Sequence, residues 1–188
     1  MKKLLFFAFA GVLLYSCSNS KPKTDAPADQ AQQKTIEITN DLENASAVIP
    51  SWINEKTVVS MKDPAAHSGE FACLTDANAE YSYAYQELVK NINTGIPKRV
   101  VIKGWAYTTV ASPKLGLIAN ISEAGKQIDW KVSPLTDDLK ETGKWVEFSK
   151  DYYLTNTALT PETEIRIFAW NQSKQAIYFD DLTITFEY

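Results

Sequence analysis

The stretch RVVIKGWAYTTV, residues 99–110, decides the fold. Val100, Ile102, Gly104 and Ala106 fall on one parity, and Val101, Lys103, Trp105 and Tyr107 on the other. Successive side chains of a strand point to opposite faces, and β-branched and aromatic residues suit a pleated, half-buried surface. Lysine belongs in solvent far more often than in a core. The first set is therefore expected inside, with Lys103, Trp105 and Tyr107 outside. Period-two runs of this kind recur at 35–39, 56–61, 70–74, 81–88, 114–121, 127–132, 145–153, 164–170 and 176–186. Turn formers such as Asp63-Pro64, Ser112-Pro113, Ala124-Gly125 and Thr142-Gly143 divide them. No window holds apolar residues at i, i+3, i+4 and i+7 over three turns. Strands at this spacing without helical insertions predict an all-β chain, an antiparallel β-sandwich or barrel.

Upstream the composition changes twice. Met1-Lys2-Lys3 is a short basic start, and residues 4–14 are apolar and uncharged. A permanent membrane helix needs roughly 20 apolar residues, so this run has the length of a secretory signal instead. It closes on Leu14-Tyr15-Ser16-Cys17, which resembles the lipobox of bacterial lipoproteins and implies lipidation at Cys17. Tyr15 departs from the pattern, whose middle position is more often small. Ser18 stands where an aspartate would argue for inner-membrane retention, so the resemblance implies an outer-membrane anchor. Residues 18–34 carry no aromatic or large aliphatic side chain. Such a segment cannot bury enough apolar surface to order itself and is expected to be a tether with a reach on the order of 20–25 Å. Residues 35–188 then form one domain.

Charge and cysteine content exclude several classes. Removing residues 1–17 leaves 17 basic against 23 acidic residues, a formal charge of −6 in place of −4. Without a Lys/Arg cluster there is no electrostatic footprint for nucleic acid. With Cys17 lipidated, Cys73 is alone, and no disulfide framework is possible. The one histidine, His67, precludes a His-rich metal site and any His pair. A Ser-His-Asp triad would have to use His67 in its turn beside Ser68, with no nucleophile-elbow sequence around it. The paired carboxylates Asp137-Asp138 and Asp180-Asp181 would point to opposite faces if they lie in strands, whereas a glycosidase needs two facing one cleft. A non-enzyme is expected.

Several blocks occur in an order that resembles a known family. They are Asn40-Asp41-Leu42-Glu43, Trp52, Ala66-His67-Ser68-Gly69, Lys103-Gly104-Trp105, Gly143-Lys144-Trp145 and the terminal Tyr178-Phe179-Asp180-Asp181-Leu182. Together they resemble the galactose-binding-like jelly roll of bacterial carbohydrate-binding modules, over residues 35–188. The resemblance implies a structural Ca²⁺ site near the sheet edge, with Glu43 and Asp180 as ligands and oxygens around Ser68-Gly69 completing it. Asp180 shares the parity of Leu182, Ile184 and Phe186, which would aim its carboxylate coreward. That is costly unless the group is paired or bound to a cation. The alternative is that Asp180 hydrogen-bonds loop amides.

Two runs place aromatics beside a cation on the face away from the core: Lys103, Trp105 and Tyr107 in one, and Arg166, Phe168 and Trp170 in the other. A pyranose stacks its C–H face on an aromatic ring while neighbouring polar groups bond its hydroxyls. Lys103, Trp105, Tyr107, Arg166 and Trp170 are therefore the expected ligand-binding set, on one concave sheet, unless loops cover the rings. The expected function is a membrane-tethered, non-catalytic glycan-binding lipoprotein of the cell envelope. The alternative is a structural or protein-interaction lipoprotein using the same sandwich. The stripe Tyr81, Tyr83, Tyr85 belongs to either face.

Overall fold

The structure is a computed structural model that describes residues 35–44 and 49–188. The expected signal sequence, Cys17 and the tether to residue 34 lie outside the described residues. The chain forms strands β1 (Thr35–Asn40), β2 (Trp52–Ile53), β3 (Val58–Ser60), β4 (Phe71–Thr75), β5 (Ala84–Leu88) and β6 (Arg99–Thr108), all but β2 on the period-two runs. They continue as β7 (Leu115–Glu123), β8 (Lys126–Pro134), β9 (Trp145–Tyr153), β10 (Glu164–Asn171) and β11 (Ile177–Glu187). The two-residue β2 is too short to show a period, and the sequence did not reveal it. Helix is confined to Glu55–Thr57 (3₁₀) and the single turn Val89–Ile92 among the described residues.

The strands form two antiparallel sheets, as the sequence led us to expect. The first runs β3-β4-β11-β6-β9, with β1 also paired to β11, and the second runs β2-β5-β10-β7-β8. Long β11 takes β4 against Ile177–Phe179 and β1 against Leu182–Glu187 on one side, and β6 along the other. Val100, Ile102, Ala106, Phe148, Phe179 and Ile184 of the first sheet pack with Tyr85, Leu117, Ile121, Ile165 and Ile167 of the second, and with Tyr83 just before β5, in one buried cluster. The Tyr152 hydroxyl donates to the Leu117 carbonyl and ties β9 of one sheet to β7 of the other. Gly104 is required by close approach rather than by its backbone angle. A Cβ there would lie 2.9 Å from both Leu182 Cδ2 and Phe148 Cζ.

β11 departs from simple alternation. Its register on β6 shifts between Asp180 and Thr183, and Asp181 adopts a φ of +49°, the signature of a bulge. Ile177 and Phe179 enter the core before the bulge, and Leu182, Ile184 and Phe186 after it. Asp180 pairs with Trp105 across the strands, so it shares the outer face of the first sheet. The coreward orientation expected from parity is thus corrected: one inserted residue reverses the count.

Candidate functional site

The five sequence-derived ligand residues fall on two different surfaces. Lys103, Trp105 and Tyr107 lie on β6 in the first sheet, and Arg166 and Trp170 on β10 in the second. The two sheets face each other across the core, so their outer faces are turned apart. No single ligand reaches both sets, and the expectation of one shared platform is corrected. Pairing of strands that are distant in sequence decided this, and strand parity contains no such information.

On the first sheet a loop covers the rings. Met61 and Ala66 pack on Ala72 and Tyr107 in a second small core, with Trp145 and Tyr178 at its margin. Tyr107 is buried, and the His67 ring stacks on Trp105 at 4.0 Å and 15°. Trp145 Nε1 donates to the Ala65 carbonyl (3.0 Å), and Lys103 alone of the three candidates is exposed. The bulge brings Asp180 and Asp181 together under this loop. Asp181 accepts from Ser68 Oγ (2.7 Å) and meets His67 Nδ1 (2.6 Å). The serine bonds the aspartate and not the histidine, so these three residues form a clamp rather than a proton relay.

The expected calcium ligands lie beside this clamp. Asp180 is fully buried; it accepts the amides of Ser68 (3.1 Å) and Asp181 (2.8 Å). Glu43 accepts the amides of Glu70 and Phe71, both at 3.0 Å, and its carboxyl fills the space a Cβ on Gly69 would take. Among the described residues no group of three or more Asp, Glu, His or Cys side chains gathers around a common point. Calcium takes six to eight oxygens, so a site at Glu43 and Asp180 would need the backbone oxygens around Ser68-Gly69 and water beside these two carboxylates. The arrangement matches the loop-amide alternative.

A prediction follows from Asp180. Burial is the main cause that pushes its carboxyl up, to about 6, with the Asp181 charge adding to it and amide bonds opposing it. The folded value exceeds the unfolded one, so the folded state binds the extra proton between the two. The stability this contributes is complete below the unfolded value and is lost as pH rises through about 6. Melting scans from pH 4 to 8 should show wild type losing ground to Asp180→Asn as pH rises, with EDTA leaving both midpoints unchanged. A bound cation would do the opposite: chelation would lower the wild-type midpoint, and Asp180→Asn would be the weaker protein at neutral pH.

The outer face of the second sheet is open and ordered in ranks. Gln86, Arg166, Asn120 and Trp130 stand abreast on β5, β10, β7 and β8. In the next rank Phe168, Ile118 and Val132 stand abreast, joined through Ala84 to Ile53 on β2. Beyond them Tyr81 bridges to Trp170, which is followed by Gly116 and Pro134. Four spacings of ~4.8 Å between its five strands make this face about 19 Å wide. A groove of ≈ 370 Å³ runs over it, lined by Ile53, Asn54, Tyr81, Asn120, Trp130 and Arg166 among others.

Aromatic rings frame the groove. Tyr81 lies over Trp170 at 6.3 Å and 26°, and meets Phe168 edge-on at 5.6 Å. Trp130 meets Phe168 and Trp170 edge-on at 5.8 and 6.4 Å. Four buried polar atoms of the same face make no hydrogen bond within the protein: Gln86 Oε1, Asn120 Oδ1, Arg166 Nε and Trp170 Nε1. A buried polar atom without a partner costs about 1–3 kcal/mol, so these four call for partners from outside the chain, water or a polar ligand. Tyr83 and Tyr85 are buried in the core, whereas Tyr81 is 49% exposed over the groove, because the chain bends at Tyr83 between the two.

No protein-family model matches the chain, and no curated protein matches it. Among solved structures, the chain is similar to the CBM22-1 xylan-binding domain of Paenibacillus barcinonensis Xyn10C, with 13% identity, 82% of this chain and 95% of that chain covered, and a TM-score of 0.48. It is similar to TmCBM61 in complex with β-1,4-galactotriose, with 15% identity, 77% and 97% coverage, and a TM-score of 0.40. It is also similar to the K3 cleaved adhesin domain of Lys-gingipain from Porphyromonas gingivalis, with 16% identity, 81% and 99% coverage, and a TM-score of 0.44. Likeness at this level says nothing of what this chain binds. The groove has to speak for itself.

The sequence reading missed Trp130, Asn120, Gln86 and Tyr81 as site residues. One signal was available: Asn120 is the lone amide in the apolar run Leu115–Ile121, on the parity of Gly116 and Ile118. What was missing was the knowledge that β7 lies beside β10.

Proposed function

We propose that this chain is a non-catalytic glycan-binding domain whose site is the groove over β5, β10, β7 and β8. The observation that carries this reading is the set of four unpartnered buried polar atoms on Gln86, Asn120, Arg166 and Trp170, set among the rings of Tyr81, Trp130, Phe168 and Trp170. A sugar ring has both surfaces this face calls for. Its axial C–H groups stack on aromatic rings, and its hydroxyls both donate and accept at the rim. The width of the sheet suits a short oligosaccharide rather than a single ring. The lipobox-like Leu14–Cys17 adds an anchor, so the domain would be held at the bacterial envelope, at the outer membrane by the reading of Ser18.

A glycan array probed with the full-length chain, beside Trp130→Ala and Trp170→Ala, tests the reading. Binding of a defined oligosaccharide class that both substitutions weaken is expected. Binding to nothing on the array, or binding that survives both substitutions, would leave the domain as a protein-interaction module.

A further inference from the structure

The groove has a charge character that neutral sugar binding does not require. Among its lining residues Arg166 alone is charged, in a chain whose formal charge is −4. The arginine stands in mid-rank, with Gln86 on one neighbouring strand and Asn120 on the other. Its Nε makes no hydrogen bond, and its Nη2 donates one long hydrogen bond, 3.5 Å, to the Glu164 carboxylate. Glu164 is also engaged elsewhere: it accepts from Gln86 Nε2 at 2.7 Å and from Ser122 Oγ at 3.4 Å. The Gln86 bond orients that amide, since turning it over would set oxygen against carboxylate. Gln86 Oε1 is thereby left as a bare acceptor beside the guanidinium, and Asn120 Oδ1 is a second on the other side.

The rank therefore reads acceptor, planar cation, acceptor, indole. A guanidinium presents a planar fork that matches a carboxylate through two parallel bonds, and one held by a single long contact at a groove is complementary to an anion. Neutral acceptors on both sides suit the O2 and O3 hydroxyls of the acidic residue or of the sugar next to it. Sulfate esters offer a related anion that the same fork can take, and titration with a sulfated oligosaccharide tells the two apart.

We propose that the groove takes a glycan carrying carboxylates, that is, uronic acid residues, with Arg166 holding the charged group between Gln86 and Asn120. This rests on the reading of the groove as a glycan site. Calorimetric titration of the full-length chain with hexamers of galacturonate, glucuronate and mannuronate, each beside its fully methyl-esterified form, isolates the charge. A neutral hexamer panel and a sulfated oligosaccharide complete the series.

At least one uronate is expected to bind about tenfold tighter than its ester, the scale of one charge-assisted hydrogen-bond pair. The preference should shrink as salt rises from 0.01 to about 0.15 M because the site is open to solvent. Arg166→Gln should bring the acid and ester forms level, and Lys103→Gln, on the opposite sheet, should keep the preference. Equal affinity for acid and ester, a preference that survives Arg166→Gln, or binding of the sulfated sugar alone overturns the proposal. Tight binding of neutral hexamers alone does so too and leaves the glycan reading standing. Binding of none of the compounds sinks both.

Discussion

Trp170→Ala is expected to weaken glycan binding by about ten- to a hundredfold, roughly 1.4–2.8 kcal/mol, whereas Trp105→Ala leaves the affinity unchanged. Central aromatic anchors in desolvated positions lose this much on truncation. Trp170 carries the Nε1 donor that the protein leaves unpartnered and supports the groove-lining ring of Tyr81, which lies over it at 6.3 Å. Its loss removes that donor and frees the phenol of Tyr81, a ring that lines the groove. Trp105 has the same residue type and a similar sequence setting, yet it sits under His67 on the opposite sheet. Its truncation loosens the loop over Met61 and Ala66 and lowers the melting midpoint without touching the groove. Calorimetry on the tightest array ligand, with a melting scan of each variant, separates the two. Equal losses of affinity from both substitutions would place the ligand somewhere other than this groove.

Phe148→Ala is expected to cost about 3–5 kcal/mol of stability, as large-to-small changes at buried phenylalanines do. A domain of this size has about 5–15 kcal/mol in total, so most of the folded population's margin would go. Phe148 is 1% exposed and meets Phe179 edge-on at 6.3 Å. It occupies the space over Gly104 together with Leu182. It also anchors β9, which pairs only with β6 in its sheet and so relies on its inward side chains. Ser149, its neighbour on the exposed face, is the control: Ser149→Ala should stay within about 0.5 kcal/mol. Urea denaturation with unchanged m-values reads both effects. A loss below 1 kcal/mol at Phe148 would show that the space over Gly104 collapses freely.

Legibility differed from strand to strand. The inward sets Val100, Ile102, Ala106 and Ile165, Ile167, Ala169 were readable because a strand's period is two and a lysine or arginine marks the wet face. Asp180 was misread because a bulge adds one residue to the count, and its φ of +49° at Asp181 leaves no mark in the sequence. The tyrosine stripe was undecidable for a like reason, a bend at Tyr83 between Tyr81 and Tyr85.

By itself the sequence determined that this is an all-β antiparallel sandwich or barrel, and which side of β6 and β10 faces the core. Both properties follow from local periodicity. Tertiary structure alone decided that Trp105 and Trp170 lie on opposite sheets, that a loop covers one set of rings, and that Gln86, Arg166, Asn120 and Trp130 stand abreast. Which strands become neighbours depends on how the two sheets share one core, and that is a property of the whole chain rather than of any stretch of it.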